Sequence, residues 1–149
     1  MMPETIPNLW PDDIRVDIQS PSVILKVQAD HLTRLTGGVL EGDVETVTSG
    51  ENVQHRLVIV ARSYRGYRHA LVAALHKRNL PYPVEIREQS LGKPTPPDDP
   101  HSEEREVTYP SASSDDRMQD LLRKALRSDS TVAIISSLIA NSNEAKIGQ

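Results

Sequence analysis

The chain has 149 residues, a net charge of −4, no cysteine, no phenylalanine, one tryptophan and four tyrosines. That length suits one ordinary domain, or a smaller domain with an appendage, and the lack of cysteine excludes disulfides, thiolate catalysis and cysteine-ligated zinc. With so few aromatics the core has to be built from Val, Leu, Ile and Ala, which bury less area per side chain and favour some reliance on a partner surface.

The opening stretch "MMPETIPNLWPDD" is acidic and punctuated by proline, unlike the basic and then apolar start of a secretory signal. No apolar run approaches the roughly 18 residues needed to span a bilayer. A soluble, cytoplasmic protein with no membrane partner is therefore expected. Trp10 is read as a pin that fastens the N-terminal arm to the sheet, the competing role being an exposed interface anchor.

Ser20-Pro21 reads as an N-cap followed by proline in the first turn, and Leu25, Ala29, Leu32 and Leu35 then share one face of a helix over 21–36. His31 on this helix is expected to be partly buried. Gly37 is a helix stop, since Gly37-Gly38 follows a helix and precedes a strand, the wrong order for a nucleotide-binding glycine loop. "VLEGDVETVTS" favours a strand with a bulge at Gly42, and Ser49-Gly50-Glu51-Asn52 a turn. "VQHRLVIVARSY" is the clearest strand, because Leu57 to Ala61 is a compact apolar run.

The next stretch, "HALVAALHKR", taken alone has good helix composition. Tyr64 and Tyr67, however, flank an Arg65-Gly66 step suited to a two-residue hairpin turn. In that register Tyr64 faces Tyr67, Arg62 faces His69, Val60 faces Leu71 and Val58 faces Ala73. The hairpin is preferred because it matches apolar with apolar at every central pair. "LPYPVEIRE" then reads as an edge strand, since proline sits badly in a central one. A sheet apolar on both faces needs cover on both, and the first helix supplies only one.

Residues 91–114 change character, with five prolines and many acids, and read as a linker or long loop in which "REVTYP" forms a brief strand. Ser113 or Ser114 then caps a helix whose Met118, Leu121, Leu122, Ala125 and Leu126 form an apolar stripe. "TVAIISSLIANS" follows as a second short helix, although its β-branched start leaves a strand possible. The expected fold class is α+β: an N-terminal helix packed on a three- or four-stranded, mainly antiparallel meander, then a linker and a C-terminal helical pair. The implied divisions are a core over 1–90, the linker over 91–114 and helices over 115–142.

One feature points to a site. No Asp or Glu lies between Glu51 and Glu85, while Arg56, Arg62, Arg65, Arg68, Lys77 and Arg78 do, leaving 11 basic against 21 acidic residues elsewhere, a net of −10. Arg62, Tyr64, Arg65, Tyr67, Arg68 and His69 are the candidate binding residues. Arginine pairs with phosphate or carboxylate, and tyrosine stacks on bases or packs on apolar groups. The ordinary alternative is a charged hairpin tip that keeps a sheet edge soluble. The stripe from Met118 to Leu126 is a candidate docking helix for a protein partner.

The function expected is a non-catalytic protein-interaction or assembly module acting on a protein partner or on a second copy in a homo-oligomer. Nucleic-acid binding through the basic-aromatic hairpin is the runner-up, and a small nuclease-like hydrolase using His69, Arg62 and Tyr64 or Tyr67 the third reading. The acids of "PPDDPHSEE" have nothing to preorganise them around a cation. There is no GxxxxGK[ST], HExxH or GxSxG, and neither a cofactor nor a metal is implied.

Overall fold

The computed structural model describes residues 5–95, 101 and 106–147. In chain order it contains α1 (Pro21–Leu35), β1 (Glu41–Ser49), β2 (Asn52–Ala61), β3 (Tyr67–Lys77), β4 (Leu80–Arg87), β5 (Lys93–Thr95), β6 (Glu106–Thr108), β7 (Ser111–Ala112), α2 (Asp115–Leu126) and α3 (Asp129–Ile147). The architecture is α+β. β1, β2, β3, β4 and β7 form one antiparallel sheet in that order, and β5 pairs with β6 as a separate two-stranded ribbon.

The two best-patterned helices begin where their caps direct. The Ser20 hydroxyl accepts the Val23 N–H at the start of α1, and Ser114 accepts the Arg117 N–H at the start of α2. α1 covers β1 and β2, α2 covers β4 and β7, and α3 joins the same core through Leu138. Into that core the sheet contributes Leu57, Ile59 and Ala61 of β2, Val72 and Ala74 of β3, and Val84 and Ile86 of β4.

Among the described residues the helices share a core with Leu57, Ile59 and Ala61 and none is grouped with Val58 and Val60 on the opposite face, so the expectation that another element must cover that face is corrected. Val58 and Val60 are nevertheless only 2% and 8% exposed. Arg68 on β3 reaches across β2 to β1, where its Nη2 donates to Asp43 Oδ2 at 3.0 Å and Glu45 Oε1 at 2.7 Å. Arg68 stands opposite Val60 in the register, and a long side chain of this kind can shelter apolar neighbours with its stem while its charged head stays wet.

Several expected details change. β4 is not an edge strand, because Val84 and Glu85 pair with Ala112 and Ser111 of β7. Gly42 is not a bulge: β1 pairs with β2 in unbroken register, and a side chain at 42 would fall on the Ala29 backbone of α1. The segment 91–114 holds β5, β6 and β7, and the acids Asp98, Asp99, Glu103 and Glu104 of "PPDDPHSEE" lie outside the described residues. α3 runs to Ile147, a turn and more beyond the expected end near 142. The stripe of α2 is spent on its own sheet: Met118, Leu121, Leu122 and Ala125 are buried against the core, and of the expected docking helix only half-buried Leu126 keeps open apolar surface.

Asp115 ties the chain's start to α2. It accepts the Gln19 N–H at 3.0 Å and bonds from Arg15 Nη1 and Nη2 at 3.1 and 3.4 Å. The Gln19 N–H holds the Asp115 carboxyl below the usual carboxylate range against the opposing effect of burial, helped by Arg15 and the Asp116 N–H. Tyr82 donates to the Gln19 carbonyl at 2.6 Å, its hydroxyl pushed up to about 12 by burial and by the Asp115 charge. Beyond this fastening Trp10 is 75% exposed, which overturns its reading as a pin to the sheet.

Candidate functional site

β2 and β3 are joined by five residues, Arg62 to Gly66, rather than by the expected two-residue turn. The loop is closed by Tyr64 N–H to Ala61 O, Gly66 N–H to Arg62 O and Tyr67 N–H to Tyr64 O. Arg65 and Gly66 both take left-handed backbone, at φ 58° and 67°. Glycine does so freely, whereas Arg65 does so at a cost of roughly 1 kcal/mol or more that the loop bonds must hold.

The register moves with the loop. Tyr67 stands opposite Ala61, Arg68 opposite Val60, His69 opposite Ile59 and Ala70 opposite Val58, with an irregularity before Val72 meets Leu57. Matching apolar with apolar along the hairpin misleads here because Val60 is paired with Arg68, whose carboxylate partners belong to β1. The expected neighbours Arg62 and His69 are accordingly separated. Arg62 sits in the loop and donates through Nε to Glu41 Oε2 at 2.8 Å, while His69 shares the helix-side face with Ile59. A hydrolase centre built on Arg62, His69 and a tyrosine loses its geometry.

Three of the six candidate residues do converge. Tyr64, Arg65 and Tyr67 line one open cleft of about 660 Å³, closed on its far side by Asn141, Glu144 and Ala145 of α3. The tyrosine rings meet at 5.9 Å between centroids with planes 57° apart, and both rings stay more than a third exposed. Of the three arginines only Arg65 has no carboxylate partner among the described residues, because Arg62 and Arg68 are neutralised by β1. Asn141 and Glu144 escape sequence reading because the apolar pattern of α3 fades before them.

No protein-family model, curated protein or solved structure matches the chain. The reading of the site therefore rests on its own chemistry.

A second polar cluster carries no signal in the sequence beyond its residue types. Thr46 Oγ1 lies 2.8 Å from His55 Nδ1, His55 Nε2 lies 2.9 Å from His76 Nε2, and His76 Nδ1 lies 2.7 Å from the Lys77 carbonyl. The carbonyl only accepts, which assigns every proton in the neutral chain. His76 Nδ1–H donates to Lys77, His55 Nε2–H to His76, and the Thr46 hydroxyl to His55.

Burial holds the His55 imidazole below the ordinary histidine range, and the nearby His76 and Lys26 act in the same direction. Because its folded value lies below the unfolded one of about 6.5, this group's contribution to stability is intact above that pH and falls as the pH drops through it. The urea midpoint is expected to drop between about pH 7.5 and pH 5.5, and to drop less in His55→Asn. An equal drop in the variant assigns the loss to other groups. Among the described residues no three of His, Asp and Glu gather as metal ligands, and no helix is long and apolar enough to cross a membrane.

Proposed function

We propose that this protein is a non-catalytic module that binds a partner protein at the tip of the β2–β3 hairpin, taking a short extended segment into the cleft between the tip and α3. The observation that carries this reading is the fate of the arginines. Arg62 and Arg68 spend their charge on Glu41, Asp43 and Glu45, so the acid-free stretch of sequence is not an acid-free surface. What remains open is an exposed tyrosine pair with one cation, Arg65, and one anion, Glu144, on opposite walls.

A polyanion gains by counterion release when several unpaired cations meet its phosphates. Here a carboxylate stands across the cleft from Arg65, the one arginine that lines it, and the site suits a peptide that offers an apolar side chain to the tyrosines and both signs of charge at its flanks. Tyrosine is among the residues that concentrate binding energy at protein interfaces. No comparable feature favours nucleic acid.

The test is a pull-down with the tagged protein, with and without nuclease, for wild type and for Tyr64→Ala/Tyr67→Ala. A discrete protein that survives nuclease and is lost in the double variant is the expected result. Nucleic acid in the eluate that disappears in Arg65→Ala overturns the reading, as does capture unaffected by losing both rings. Both rings are exposed, so the double variant is expected to keep its thermal midpoint.

A further inference from the structure

The N-terminal arm, residues 5–19, has no helix or strand and leaves large apolar side chains in water: Leu9 is 82% exposed and Trp10 75%. Its inner end is nevertheless fixed, by Arg15 and Gln19 on Asp115. The arm is thus presented from a defined point, at the start of α1 and α2. Those two helices touch, and between them lies a groove of about 440 Å³. Its open apolar surface comes from Leu35 of α1, 85% exposed, and from half-buried Leu126 of α2; Ile24 and Leu122 close its base, and Gln28, His31 and Gln119 line the rest. Arg123 and Arg127 stand along its α2 rim.

The arm and the groove are complementary in both apolar character and charge. In the arm an apolar pair, Leu9-Trp10, is followed after one proline by Asp12 and Asp13. In the groove the open side chains of Leu35 and Leu126 lie beside two arginines four residues apart, one helical turn. Arg127 has no carboxylate partner among the described residues, and Arg123 has only an exposed bond to Asp120 at 3.1 Å. The structure holds the arm off its own groove while keeping the bonds at Asp115, so groove and arm are both open on the same molecule.

We infer that two copies of this chain exchange their N-terminal arms, each laying Leu9 and Trp10 into the α1–α2 groove of the other with Asp12 and Asp13 against Arg123 and Arg127. One arm and one groove per copy close as a two-fold dimer with nothing left over. Burying a tryptophan removes about 150–250 Å² from water. Two such arms, each with Leu9 beside its tryptophan, and the groove surface they cover make a small contact, on the order of the roughly 1,000 Å² at which specific interfaces begin. This goes beyond the hairpin-tip reading and does not depend on it, since the two surfaces share no residue.

Light scattering coupled to size exclusion, on the full chain, reads the result as molar mass. Wild type is expected to be a dimer at micromolar concentration, and Trp10→Ser to weaken it by about tenfold or more, as loss of an interface anchor does. Charge reversal decides whether the contact is the one named. Asp12→Arg/Asp13→Arg and Arg123→Asp/Arg127→Asp are each expected to be monomeric alone and to dimerise when mixed. All four positions are exposed, and circular dichroism checks that each variant is folded. Trp10, the single tryptophan, reports directly: its emission should shift to shorter wavelength as wild type is concentrated. A monomeric wild type overturns the inference. So does a monomer with Trp10 already shielded at every concentration, which means the arm folds onto its own groove, or a dimer indifferent to all three variants.

Discussion

Gly42→Ala should lower the stability of this protein by about 3 kcal/mol, the upper end of what overpacking costs. Inside a strand the substitution ordinarily helps, because alanine loses less backbone entropy by roughly 0.5–1 kcal/mol. Contact reverses the sign. A Cβ at 42 would fall on the carbonyl oxygen, Cα and carbonyl carbon of Ala29, none of which is the free end of a side chain. Ala29 is buried, and its carbonyl already accepts the Thr33 hydroxyl at 3.2 Å, whose oxygen accepts the Gly42 N–H at 3.0 Å. Backbone of α1 and backbone of β1 are locked together there, so the methyl group can be admitted only by lifting the helix from the sheet. For a chain of this size that loss is a fall in thermal midpoint of about 10 °C. Thr48→Ala, at an exposed position of the same strand, should stay within about 0.5 kcal/mol of wild type. A Gly42→Ala protein equally stable would mean that α1 does not sit this close to β1.

Gly42 also illustrates what a sequence leaves open. A glycine in a strand marks either a bulge or a close approach of another backbone. The choice depends on what lies opposite, and Ala29 is 13 residues earlier in a different element. Local signals fared better. Both capping serines, the Gly50 turn and the strand over Leu57 to Ala61 follow from residues within a turn of one another, and these elements form as read. Trp10 and His31 show the converse. Both were expected to gain cover, and both are exposed because nothing local says where the next apolar surface will be.

The candidate site divides along the same line. Tyr64, Arg65 and Tyr67 come together because they occupy one loop. Arg62 and Arg68 leave the site because Glu41, Asp43 and Glu45 stand on the strand that β2 places beside them, a pairing visible only once β1 and β2 are in register. His69 departs for a different reason. A shift of an odd number of residues in hairpin register turns a side chain to the other face, and the loop is three residues longer than the turn chemistry suggested. The far wall, Asn141 and Glu144, lies about 75 residues away in sequence from the tyrosines and is supplied by helix docking alone.

Helix docking is what Leu121→Ala measures, and its expected cost is about 3 kcal/mol, the middle of the range for removing a buried leucine side chain. Leu121 is buried on the α2 face that packs with Met118, Leu122 and Ala125 against the core. If the helices after residue 114 belonged to an appendage awaiting a partner, truncating this residue would leave the sheet and α1 melting where they did. Two transitions would then be seen, with only the smaller one moved. The packing requires a different outcome. Val84 and Ile86 of β4, Leu25 and Ala29 of α1, and Leu138 of α3 share one core with the α2 stripe, so that unfolding α2 strips cover from all of them at once. A single cooperative transition is expected, displaced downward by about 10 °C and with an unchanged denaturant slope in urea. The same result bears on both surfaces described above. A cleft walled by α3 and a groove walled by α2 exist only while those helices stay docked, and the buried leucine on α2 is one of the residues that keeps them there.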